Sequence, residues 1–124
     1  MSWAGLAWIS LVLISYLIGS IPAAYLMTRL VTGRDILLLG DHNAGAANVF
    51  RNVGPKAGLA VGAFDIAKGA AAVLLVRALV DSTALKMMAG VGVVAGHNWP
   101  VFLGLRGGRG AATALGVLLA MLPA

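Results

Sequence analysis

The first 28 residues, Met1 to Thr28, contain no charged side chain. Such a run exceeds the roughly 20 apolar residues that a helix needs to cross a bilayer. A cleaved secretion signal fits less well, because no Lys or Arg precedes the run and it is too long for a signal's apolar region. The rest of the chain agrees. Hydrophobic residues make up 60% and charged residues 10%, against roughly 25% charged in soluble domains. The net charge of +5 does not indicate nucleic acid, because the basic residues are scattered and aromatics are few. Cysteine is absent, which removes disulfides and thiolate chemistry.

The expected fold class is an all-α, polytopic integral membrane helix bundle, a single membrane domain over residues 1–124. The apolar pattern predicts a first helix from Trp3 to Leu30, kinked at Gly19-Ser20-Ile21-Pro22, since proline removes a backbone hydrogen bond and crowds the preceding turn. Thr32 to Lys56 reads as a polar loop in which Ile36 to Leu39 dips into the interface. A second helix is predicted over Ala57 to Val80, a third over Ser82 to Leu103, and a fourth from Gly110. Gly58/Gly62 and Gly92/Gly96 are small-residue pairs at the spacing that lets helices pack closely.

Orientation follows from the cations. Arg29, Arg34, Arg51 and Lys56 mark the first connection and Arg106 and Arg109 the third, against Arg77 and Lys86 around the second. The positive-inside bias then places the first and third connections in the cytoplasm and the N-terminus outside. From Gly110 to Ala124 only 15 residues remain, roughly 22 Å of helix against a hydrocarbon core of about 30 Å. The expectation is a chain truncated at its C-terminal end, whose exposed helix faces meet a missing C-terminal half or a second copy.

Two polar clusters interrupt the apolar pattern on the same predicted side. The first runs from Gly40 through Asp41, His42, Asn43, Gly45 and Asn48 to Arg51. The second runs from Gly96-His97-Asn98-Trp99-Pro100 into Arg106-Gly107-Gly108-Arg109-Gly110. Glycine-bearing polar backbone beside arginine suits an anion such as phosphate. Inside the second helix, Asp65 and Lys68 stand three apart on one face. Ionisable groups among apolar neighbours face the bundle interior and pair, or line a polar cavity. They are either a structural ion pair or a lysine lending positive potential to a phosphate site, oriented by its aspartate. No Gly-Lys-Ser/Thr follows the glycines as a P-loop requires, and the histidines and aspartates show no metal-ligand spacing. No cofactor, metal or nucleic acid is expected. A transporter subunit would spread polar residues through the membrane depth; here they gather at one surface.

The same residues carry a family resemblance. Gly19-Ser20-Ile21-Pro22 with Tyr25, Asn43-x-Gly45-Ala46-x-Asn48-Val49-x-Arg51, Asp65-x-x-Lys68-Gly69, Gly96-His97-x-x-Pro100-Val101-Phe102-Leu103 and Arg106-Gly107-Gly108-Arg109-Gly110-x-Ala112-Thr113 follow in order. Together they resemble the bacterial acyl-phosphate:glycerol-3-phosphate acyltransferases. The resemblance implies a seven-helix enzyme of the bacterial inner membrane, of which about four helices are present here. It implies transfer of a fatty acyl group from acyl phosphate to the 1-hydroxyl of glycerol 3-phosphate, giving lysophosphatidic acid and phosphate. On that basis Asn43, Gly45, Asn48 and Arg51 hold the acyl phosphate, while Arg106, Gly107, Gly108 and Arg109 hold glycerol phosphate. Lys68 supplies charge, and His97 and Asp65 are the catalytic candidates, His97 either taking a proton or bracing its loop.

The chain also departs from the family pattern. Asp41-His42 stands where Ser-Gly is usual, Ala47 where Thr is usual, and Arg106 and Arg109 where lysines are usual. Asp41 would repel phosphate unless His42 or Arg51 neutralises it. These differences keep open a non-catalytic relative that binds phosphate lipids.

Overall fold

The computed structural model describes residues 2–123. Among them the regular structure is all helical: α1 (Trp3–Gly19), α2 (Ala23–Thr32), α3 (Ala46–Asn52), α4 (Pro55–Leu79), α5 (Thr83–Asn98) and α6 (Ala111–Met121), with short 3-10 turns at Ile36–Leu38 and Val101–Leu103. Two stretches are long and apolar enough to cross a membrane, Trp3–Thr32 and Pro55–Leu79. The 25 residues of α4 extend about 37 Å, enough to pass the hydrocarbon core.

Local chemistry explains most boundaries. Ser2 caps α1 by accepting the Gly5 N–H at 3.0 Å. Pro55 opens α4 at a position where its missing N–H costs nothing, and Ser82 caps α5 through the Leu85 N–H. Gly33, at φ 72°, ends α2 in the left-handed conformation that glycine adopts without strain. Hydroxyls inside the apolar helices turn back on their own backbone, Ser15 to the Leu11 carbonyl and Thr28 to the Ala24 carbonyl, both at 2.8 Å.

Helix α4 is the centre of the bundle. It packs against α6, α3 and α5, while α1 lies along α5. The crossings depend on absent side chains. A Cβ on Gly96 would strike the Tyr16 carbonyl of α1, and one on Gly69 the Thr113 carbonyl of α6. Gly58 likewise lies against the Phe50 backbone, so three of the four glycines singled out by spacing (Gly58, Gly92 and Gly96) sit at close contacts; Gly62 has ordinary space. One apolar cluster, around Ile36, Leu37, Val49 and Val61, closes the loop end of the bundle. Another, around Leu11, Val76, Leu85 and Ala89, closes the opposite end. Large apolar side chains such as Leu30 and Val91 point outward, the arrangement that a lipid surrounding favours.

Three expectations need correction. The first helix is not one kinked rod: it breaks at Ser20-Ile21-Pro22 and restarts as α2. The polar loop from Thr32 to Lys56 contains α3, and its Ile36 and Leu37 pack into the protein core while Leu38 beside them is 70% exposed. The third helix stops at Asn98, because Pro100 cannot continue it, and the apolar Val101–Leu103 forms a separate turn.

Candidate active site

The two polar clusters of the sequence meet at one end of the bundle, above the buried charges of α4. Asp65 and Lys68 lie 3.1 Å apart with side chains only 2% and 3% exposed. The Lys68 ammonium also donates to the carbonyls of Gly19 at 3.0 Å and Ile21 at 3.1 Å. In an unbroken helix the Ala23 N–H would serve Gly19, but here it turns to Ile21. Lys68 therefore fills the vacancy left by the α1–α2 break, with two hydrogen bonds to carbonyls and an ion pair to Asp65. These contacts fasten α4 to the α1–α2 joint, and Lys68 also lines a cleft at this end of the bundle.

His97, at the end of α5, stands beside this pair, with Nδ1 3.8 Å from Asp65 Oδ1. Its backbone carbonyl accepts the Gly108 N–H at 3.2 Å, and the Asn98 carbonyl accepts the Gly107 N–H at 3.1 Å. A Cβ on Gly108 would run into His97 Nε2, and one on Gly107 into the His97 carbonyl. The two glycines thus press the arginine-bearing loop flat against the end of α5. The imidazole points Nδ1 toward Asp65 and Nε2 toward Gly108, without a hydrogen bond to either. Tyr16 steadies the same corner, donating its hydroxyl to the Trp99 carbonyl at 2.6 Å.

The first polar cluster wraps around Asn48, which is fully buried. Its amide donates to the carbonyls of Leu39 and Asn43, each at 2.9 Å, and its oxygen accepts from Asn52 at 2.6 Å. Asn48 thereby sets the path of the loop, with Gly45 buried beneath it as the residue preceding α3. Asn43 stays half-buried at the surface. His42, at φ 63°, places Nδ1 2.7 Å from the Leu37 carbonyl.

At the outer surface, three charges converge. Asp41 Oδ2 is 3.4 Å from Arg51 Nη2 and 3.6 Å from Arg109 Nη2. Arg51 comes from α3 and Arg109 from the loop before α6, so the carboxylate bridges both clusters. His42 takes no part in balancing Asp41; the two arginines do. Arg106 lies exposed on the same loop as Arg109. Beside Lys68 and His97 is a small cleft lined also by Ile21, Pro22, Ala44 and Gly107. The sequence did not mark Tyr16 as a brace or Asp41 as a bridge, since neither role leaves a periodic or spacing signal.

The structure is thus a membrane-type helix bundle with a cationic, loop-built site at one end. The chain matches the family described as glycerol-3-phosphate acyltransferase over residues 9–124, and it belongs to that family. It is 56% identical over 108 residues to glycerol-3-phosphate acyltransferase 4 of Dehalococcoides mccartyi, covering 87% of this chain and 58% of that protein. To the glycerol-3-phosphate acyltransferase of Thermoanaerobacter sp. it is 49% identical over 111 residues, covering 90% and 56%. The fold is similar to the crystal structure of PlsY, an integral membrane glycerol 3-phosphate acyltransferase in its glycerol 3-phosphate form. That match has TM-score 0.84 and 40% identity, covering 93% of this chain and 57% of that one. The chain spans little more than half the length of these relatives.

Proposed function

We propose that this chain forms the acyl-phosphate and glycerol-phosphate end of a glycerol-3-phosphate 1-O-acyltransferase of the bacterial inner membrane, with its site facing the cytoplasm. The carrying observation is the convergence of Arg51 and Arg109, from two separate connections, on one anionic oxygen. Two guanidiniums from different loops that meet at one oxygen can grip one phosphate together, while Arg51 also faces a second.

The chemistry needs little more than positioning. Acyl phosphate is a mixed anhydride with an activated carbonyl. The 1-hydroxyl oxygen of glycerol 3-phosphate attacks the acyl carbon, the carbon–oxygen bond to phosphate breaks, and the hydroxyl proton leaves on the departing phosphate. Arg51 steadies charge on the leaving group of the acyl phosphate and, with Arg109, grips the phosphate of glycerol 3-phosphate, which Arg106 also meets. Asn43 lies at the rim as a polar contact. Asn48 and Gly45 shape the first loop, and Gly107 and Gly108 the second. His97, Asp65 and Lys68 act as positioning residues beneath the site. Their contacts with one another and with the glycine loop favour bracing over proton transfer.

The test is acyl transfer in membranes expressing these 124 residues, in a host lacking its own enzyme, with acyl phosphate and labelled glycerol 3-phosphate. Lysophosphatidic acid that disappears with Arg51→Ala supports the proposal. No product from inserted protein contradicts it for this chain and favours a non-catalytic relative.

A further inference from the structure

Asp41 occupies the anion site. One of its oxygens faces both arginines, at 3.4 and 3.6 Å. The other accepts the Asn43 N–H at 3.1 Å, which ties the carboxylate to its own loop. Neither arginine contact is a fork; each uses one nitrogen. Both are longer than the about 2.7–2.9 Å of a good charge-assisted hydrogen bond. The side chains of Arg51 and Arg109 are 58% and 76% exposed, so water competes for them.

We propose that Asp41 is a resident counter-ion, an internal competitor that a phosphate group displaces from Arg51 and Arg109, and that it thereby sets the affinity of the site for phosphate. The inference rests on the functional reading above. A phosphate dianion carries more charge than a carboxylate and has three terminal oxygens, enough to meet each guanidinium with two contacts. Asp41 gives both guanidiniums a single oxygen. The exchange therefore replaces two long, solvent-screened contacts with shorter, forked ones. Asp41 also holds the two cations together in the absence of ligand, which would help binding. The length and exposure of its contacts make competition the larger effect.

Asp41→Asn reads the net of the two effects. The amide keeps an oxygen for the Asn43 N–H and removes the charge. Binding of inorganic phosphate and of glycerol 3-phosphate to the full chain in detergent is measured by titration calorimetry. Affinity for both is expected to rise about two- to thirtyfold, the range that two exposed ion pairs supply. Arg51→Ala in the Asp41→Asn background should cancel the gain. Unchanged or weaker binding by Asp41→Asn, with the native chain binding phosphate, overturns the competitor role and leaves the functional reading standing. Absence of binding by both proteins overturns the anion site itself, and this inference with it.

Discussion

Lys68 and Gly19 are joined by a 3.0 Å hydrogen bond between the α4 ammonium and the last carbonyl of α1. This contact turns a defect in the first apolar run into a fixed joint. Pro22 breaks the helix, the break frees a carbonyl in an apolar setting, and a buried lysine meets it. A buried ammonium is costly without such partners, and here it has Gly19, Ile21 and Asp65.

Lys68→Met is expected to destabilise the bundle by about 3–5 kcal/mol, because it strands the Asp65 carboxylate and the Gly19 carbonyl together. Adding Asp65→Leu should restore most of the loss. Thermal unfolding of both variants in detergent checks this. Equal melting temperatures for the single and double variants would contradict the pairing.

Gly108→Ala drives a methyl group toward the His97 ring. The loop carrying Arg106 and Arg109 must lift, while the helix core beneath has no reason to move. Glycerol 3-phosphate binding should therefore weaken far more than the melting temperature falls. Calorimetric titration beside a melting curve gives both readings on one sample.

Much of this was legible from sequence, for identifiable reasons. Uninterrupted hydropathy located α4 to within two residues at its start, since a buried apolar rod announces itself by length alone. Asp65 and Lys68 stood out because charges are rare in such a rod. Helix α3 did not, because its seven residues Ala46–Asn52 are too few for periodicity and mix apolar with polar types. The break at Ser20-Ile21-Pro22 read as a kink, because sequence does not reveal that Lys68 is there to satisfy the released carbonyls. Asn48 drew notice as a polar residue in a phosphate-type motif, but its amide is hydrogen-bonded inside the protein. Asp41 read as a liability for an anion site; its pairing with Arg109 required knowing that two distant loops meet.

Tyr16→Phe removes the 2.6 Å bond to the Trp99 carbonyl without changing shape. A cost of about 1 kcal/mol is expected, the usual worth of one neutral hydrogen bond. Because the bond holds the α5 end against α1, the variant should also loosen the following segment. Faster amide exchange at Val101 to Leu103 than in the native chain would show it.

Arg51 and Arg109 come from different loops and meet at Asp41, as two halves of one anion site would. A double-mutant cycle measures this directly, with Arg51→Ala, Arg109→Ala and the pair compared by glycerol 3-phosphate and inorganic phosphate affinity in the Asp41→Asn background. Strong non-additivity is expected, with a coupling energy of about 0.5–3 kcal/mol, as for residues that share a partner. Strictly additive losses would mean that the two arginines serve separate ends and that no common site exists.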